Sequence, residues 1–188
     1  FQEPATSFNP VMMVGDQVAE MIRTHSTCGR TEARARAVEW LRRVGIPRPE
    51  EAYDAYPHEL SGGLKQRAMI AMALSADPKV VVADEPTTAL DVTVARQVLE
   101  LLNDLKRERG LTLIFITHDL ALLPGIADRV ALMYAGEIVE MAPTEAFLAH
   151  PEHPYAQALL GALPRPDGAP LQPVGGSVPN LWGPLKGC

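Results

Sequence analysis

The sequence predicts an α/β fold, and three observations carry that prediction. Two short apolar runs, 79–83 and 111–116, lack polar alternation, as expected of parallel strands buried on both faces. Between them Val92–Arg109 sets Val94, Val98, Leu101, Leu102 and Leu105 on one helical stripe, with Gly110 as its stop. Strand, helix, strand in that order implies a right-handed parallel crossover.

The chain divides by texture into 1–76, 77–141 and 142–188. The first stretch reads as helical. A short helix is expected over 16–24 and a longer one over 31–44, with Thr31 as N-cap and Gly45 as stop. In the longer helix Ala37, Trp40, Leu41 and Val44 share one face. Pro47, Pro49 and Pro57 then predict a loop, followed by a helix over 64–75 that ends before Pro78. In the second stretch, runs 130–134 and 137–141 around Ala135-Gly136 predict a hairpin. In the third, Thr144–Ala149 and 155–163 are short helix candidates. Nine of the 17 prolines lie between Pro143 and Pro184, so the tail from Pro164 is expected to be irregular.

Composition excludes several functions. A net charge of −6 argues against a phosphate-tracking surface, hence against nucleic acid as partner. No apolar run approaches the roughly 20 residues of a membrane-spanning helix. Cys28 and Cys188 are too few for a disulfide framework or a metal site, and are expected to be reduced thiols of a cytosolic protein. Phe1 rather than Met opens the chain, which is read as processed or, in preference, as a fragment.

Three runs carry chemistry. In Leu60-Ser61-Gly62-Gly63-Leu64-Lys65-Gln66-Arg67, two glycines precede a helix whose free N–H groups and positive dipole end suit a phosphate. Ser61 can cap that helix or offer its hydroxyl, and the bland alternative is a plain capping loop. In Val80-Val81-Val82-Ala83-Asp84-Glu85-Pro86, an apolar strand ends in two acids at the carboxyl edge of a parallel sheet, where such folds bind ligands. Adjacent carboxylates repel unless their tasks differ. Asp84 suits Mg2+, and Glu85 suits a general base facing water. Here the bland alternative is a solvated acidic turn. Lastly, Thr117-His118-Asp119 follows the second strand, where a neutral imidazole could bond a γ-phosphate.

In this order and spacing the runs resemble the ABC-type ATPase family over nearly all of the chain up to about Met141. The resemblance implies the C-terminal portion of a P-loop ATPase core with a helical signature subdomain. Leu60–Arg67 looks like the signature motif, Val80–Glu85 like Walker B with the catalytic glutamate, Ala89-Leu90-Asp91 like the D-loop, and His118 like the switch histidine. Gln2 looks like the Q-loop glutamine that touches Mg2+ and water. Cofactor contacts are thereby assigned to Gln2, Ser61, Gly62, Gly63 and Asp91, and metal binding to Asp84 and Gln2. Gln2-Glu3-Pro4, Tyr56-Pro57-His58-Glu59, His153-Pro154-Tyr155 and Gly176-Ser177-Val178-Pro179 are similar to the oligopeptide, dipeptide and nickel importer ATPases, whose C-terminal extension residues 142–188 would form.

That resemblance implies ATP and Mg2+ as cofactors. It also implies permease subunits as transmembrane partners, a second ATPase subunit (paralogue or copy), and indirectly a solute-binding protein. The location implied is peripheral, on the cytoplasmic face of the cell membrane. Two departures stand out. Leu64 replaces the glutamine of many relatives, and no G-x-x-x-x-G-K-[ST] run occurs, so the phosphate loop is expected upstream of Phe1. The competing readings are a non-transport ABC ATPase and a catalytically dead regulatory module. The first lacks its usual coiled-coil insertion or basic surface here, and the second is opposed by the presence of Glu85 and His118.

Overall fold

Apolar residues recur at helical spacing through the early chain, and there the backbone folds as helix. The structure, a computed structural model, describes residues 7–88 and 90–163. Helix α1 (Val14–His25) buries Val14, Val18 and Ile22, and α2 (Arg30–Arg43) buries Ala33, Ala37, Trp40 and Leu41. The N-cap of α2 is Gly29 rather than Thr31. The Gly29 carbonyl accepts from Ala33 N–H at 2.9 Å, which places Thr31 inside the first turn. Nor is the proline segment all loop. Helix α3 (Pro49–Asp54) starts on Pro49, whose missing N–H costs nothing at a first helical position. A single 3-10 turn, Pro57–Glu59, follows it.

Tyr53 locks α3 to α1. A Cβ added to Gly15 would stand 2.1 Å from the Tyr53 ring, so only glycine admits it. The Tyr53 hydroxyl donates to Asp16 at 2.8 Å, and the Arg34 guanidinium lies 4.1 Å over the ring. Burial, and then the hydrogen bond to Asp16, push the Tyr53 phenol up to about 12. Because the folded value is raised, this stabilisation is intact below the ordinary phenol value of about 10 and is lost as pH climbs through the raised one. Gly15→Ala should overpack the contact and cost about 1–3 kcal/mol, seen as a lower urea midpoint. An unchanged midpoint would mean the ring swings aside freely.

Helix α4 (Gly62–Leu74) runs into strand β1 (Val80–Asp84), then helix α5 (Val92–Arg109) and strand β2 (Thr112–Ile116). β1 and β2 pair in parallel, from Val80 opposite Thr112 to Asp84 opposite Ile116, as the strand–helix–strand order predicts. The α5 bounds match the expectation at both ends. Asp91 caps its start, and Gly110, at φ +61°, ends it in the left-handed region. The expectation of burial on both faces is overturned. Val80, Val82, Ile114 and Ile116 are 52, 54, 49 and 46% exposed, whereas Val81 and Leu113 pack on the helical core. Among the described residues, helices cover one face of this pair and nothing covers the other.

Trp40 links α2 to α5. The Arg109 guanidinium sits 4.5 Å from its ring and donates to Asp77 at 2.5 Å, while Arg43 pairs with Glu108. These elements belong to one compact unit, Phe1–Thr117, and the rest of the chain to a second, His118–Cys188. The three stretches read from texture divide the chain by composition; this division is by contact.

The second unit is built on the expected hairpin. β3 (Arg129–Tyr134) and β4 (Glu137–Pro143) run antiparallel, joined by Ala135 and Gly136 at φ +52° and +87°. Two positive φ values make the primed turn whose twist suits a hairpin. A bulge between Leu132 and Met133 shifts the register. Leu123, Val130, Leu132, Phe147 and Ala156 form the core with α6 (Thr144–Ala149) and α7 (Pro154–Gly161). α7 begins one residue before the expected 155–163, because His153 Nδ1 accepts from Tyr155 N–H at 3.1 Å. The tail from Pro164, with Cys188, lies outside the described residues. Cys28 is a free thiol that accepts from the Ser26 hydroxyl at 3.1 Å. No helix of the described residues is long and apolar enough to cross a membrane.

Candidate functional site

The first unit gathers most of the residues singled out in the sequence. At the start of α4, Ser61 is exposed and caps the helix, its Oγ accepting from Leu64 N–H at a long 3.4 Å. The two glycines that follow are not equivalent. A Cβ on Gly63 would stand 2.7 Å from Val94 Cγ1 of α5, so packing demands glycine there. A Cβ on Gly62 would meet nothing within 4 Å. Gly62 is therefore the position whose bareness is left for a ligand to use. The sequence assigns both glycines to ligand approach, and only the neighbouring helix separates them.

Arg67 is a brace that the sequence does not reveal. Its guanidinium donates to the Val44 carbonyl at 2.7 Å and to Gln97 Oε1 at 2.9 Å, tying the end of α2 and the side of α5 to α4. Gln66 is 2% exposed, and its amide nitrogen has no partner among the described residues. It lines a cavity of about 50 Å³ together with Asp84 and Pro86. The signature run thus reaches the acidic strand end through its buried side.

Asp84 closes β1 half-buried, in register with Ile116. Glu85 follows at φ +45°, a left-handed conformation that costs a non-glycine residue about 1–2 kcal/mol. It persists because the loop is held from both sides. Glu85 N–H donates to the Ile116 carbonyl at 3.0 Å, extending the parallel ladder by one rung. Thr88 N–H donates to the Glu85 carbonyl at 3.1 Å, and Thr88 Oγ1 donates to Glu85 Oε2 at 2.9 Å. The left-handed turn swings the Glu85 side chain away from the strand line, so the two adjacent acids diverge.

Asp91 is exposed, and its Oδ1 accepts from Val94 N–H at 2.9 Å as the cap of α5. A structural task therefore occupies at least one of its oxygens. His118 is exposed and is the first residue of the second unit. Gln2 and Ala89 lie outside the described residues. Of the residues singled out, Ser61, Gly62, Gly63, Asp84, Glu85 and Asp91 share one unit.

The comparisons fit this architecture. Residues 1–88 match the ABC transporter family, and residues 139–188 match the oligopeptide/dipeptide transporter C-terminal region. The chain belongs to the ABC transporter ATP-binding family. It is 48% identical over 190 residues to an oligopeptide transport ATP-binding protein of Bacillus subtilis, covering all of this chain and 53% of that protein. It is 46% identical over 190 residues to a dipeptide transport ATP-binding protein of the same organism, covering all of this chain and 57% of that protein. The chain thus spans about half the length of these curated relatives. Among solved structures it resembles an ATP-binding cassette described as a dimer in a post-hydrolysis state bound to ADP and Pi. That match has a TM-score of 0.67 and 29% identity, covering 77% of this chain and 61% of the cassette. The α/β reading of the fold, as part of an ABC ATPase domain, therefore stands.

Proposed function

We propose that the complete protein is the ATP-hydrolysing subunit of an ABC importer for peptides, or for nickel or a similar small solute. The observation that carries the proposal is the end of β1, where Asp84 and Glu85 stand side by side at the carboxyl edge of a parallel pair and a left-handed turn parts them. The residues fit the implied cofactors by their chemistry. Two carboxylates offer the hard oxygen donors that Mg2+ takes, and the bare Gly62 opens a helix N-terminus to phosphate. When bound, Mg-ATP supplies an electrophilic γ-phosphorus and a leaving group already bridged to a cation.

The chain's own residues take the following roles. The Asp84 carboxylate holds the cation. Glu85 accepts a proton from the attacking water as the new P–O bond forms and the bond to ADP breaks. His118 hydrogen-bonds the γ-phosphate, and Gln2 contacts the cation and the water. Ser61, Gly62 and Gly63 close over the nucleotide of a second ATPase subunit, and Asp91 acts across that interface. Permease subunits are the membrane partners, a separate binding protein delivers the solute, and the subunit sits on the cytoplasmic face of the membrane. The peptide reading is favoured by the printed names of the relatives and by the match of residues 139–188.

The phosphate loop supplies most nucleotide affinity in this class of protein, and residues 1–188 contain no such run. Titration calorimetry with Mg-ATP should therefore detect no binding to the 188-residue chain. The complete chain should bind ATP and should hydrolyse it faster with its permease subunits than alone. A micromolar dissociation constant for the 188-residue chain would place the affinity elsewhere. A complete chain that stays inert with its permeases would overturn the proposed function.

A further inference from the structure

We propose that Thr88 is a positioning residue for Glu85, its hydroxyl setting the direction of the carboxylate before nucleotide arrives. The inference rests on the reading of Glu85 as the base. A glutamate has several rotatable bonds, and a base must hold one oxygen within hydrogen-bond reach of the water it deprotonates. In this chain the Thr88 hydroxyl donates to Glu85 Oε2 at 2.9 Å, so one carboxylate oxygen has a fixed partner and the rotamer is chosen.

The clamp is intrinsic to the loop. Thr88 lies three residues after Glu85, and its own N–H closes the turn on the Glu85 carbonyl at 3.1 Å. The turn is anchored at both ends. Glu85 N–H is tied to the Ile116 carbonyl of β2, and Asp91, three residues beyond Thr88, caps α5. Leu90 N–H donates to the Thr87 carbonyl at 3.3 Å between those anchors. A β-branched threonine is itself stiff about χ1, so the hydroxyl is presented from a rigid platform. The left-handed backbone at Glu85 serves the same end, since an extended residue there would continue the line of the strand. Strain of this kind persists only where the surroundings over-determine it, and Thr88 contributes two of the three hydrogen bonds named here.

The test uses the complete chain assembled with its permeases and measures ATP turnover for four variants. Thr88→Val keeps the shape and removes the hydroxyl. Its kcat should fall about tenfold or more while KM for ATP stays within about twofold, because the hydroxyl acts on the base rather than on binding. Thr88→Ser restores the hydroxyl and should return to within about twofold of the parent. Should Thr88→Val fail to fold, Thr88→Ala makes the same comparison without adding a methyl at the exposed loop. Glu85→Gln, run alongside, tests the underlying reading, and adding Thr88→Val to it should cost nothing more, since both changes act through one group. An unchanged or raised kcat for Thr88→Val beside an inactive Glu85→Gln overturns the positioning role and leaves the base in place. A Thr88→Ser variant as slow as Thr88→Val also overturns it, by assigning the effect to packing. If Glu85→Gln itself turns over normally, both readings fall together.

Discussion

Glu85→Gln in the complete chain is expected to bind ATP as before and to lose turnover by about two to four orders of magnitude. The substitution keeps the length and shape of the side chain, and the Oε2 that accepts from Thr88 can be replaced by an amide oxygen accepting the same bond. What disappears is the carboxylate's capacity to take a proton from water. The backbone of the loop should not move, because Glu85 is held at φ +45° by its main-chain bonds to Ile116 and Thr88. ATP-loaded dimers should therefore accumulate, visible by size exclusion as a stable larger species. Turnover within threefold of the parent protein would remove Glu85 from the role of base. In that case the left-handed turn would be only a device for ending β1.

Ser61→Arg should abolish the ATP-dependent dimer and leave the ATP affinity of the isolated complete subunit nearly unchanged. Ser61 is exposed at the first turn of α4, and its long capping bond to Leu64 N–H is a weak tie. Replacing a serine cap costs about 0.5–2 kcal/mol with alanine and only a few tenths with glycine. Ser61→Gly is therefore the control for the cap alone. An arginine adds several heavy atoms next to Gly62, the position where the structure leaves open space, and so fills the surface that would meet the second subunit. The measurement is size exclusion with ATP on the Glu85→Gln background, with Ser61→Gly dimerising normally. If Ser61→Arg dimerises as readily as its parent, the Ser-Gly-Gly loop is a helix cap and no more.

The sequence by itself determined the features governed by nearest neighbours along the chain. The span of α5 was legible to the residue, because its start and stop are local chemistry: a carboxylate that accepts from the third following N–H, and a glycine that turns left-handed. The β3–β4 hairpin was legible for the same reason, with two residues able to take positive φ between two apolar runs. The acids at the end of β1 were placed correctly at the sheet edge, since a strand that runs into Asp84 and Glu85 must stop near them. Even local signals failed where two competed. Prolines that predicted a loop opened α3 instead, because a proline is tolerated at the first helical position and excluded only within.

The tertiary structure decided everything that depends on partners distant in sequence. Composition could not tell which face of β1 is covered, since Val80, Val81 and Val82 are identical as residues. Only the placement of the helices makes Val81 core and leaves its neighbours exposed. Gly62 and Gly63 read alike until Val94, some thirty residues later, is seen to demand one and ignore the other. The roles of Arg67, which joins α2 to α5, and of Gln66, which lines a cavity with Asp84, are invisible to periodicity because their neighbours come from other elements. Burial and hydrogen-bond partnership belong to pairs of groups, and folding alone brings such pairs together.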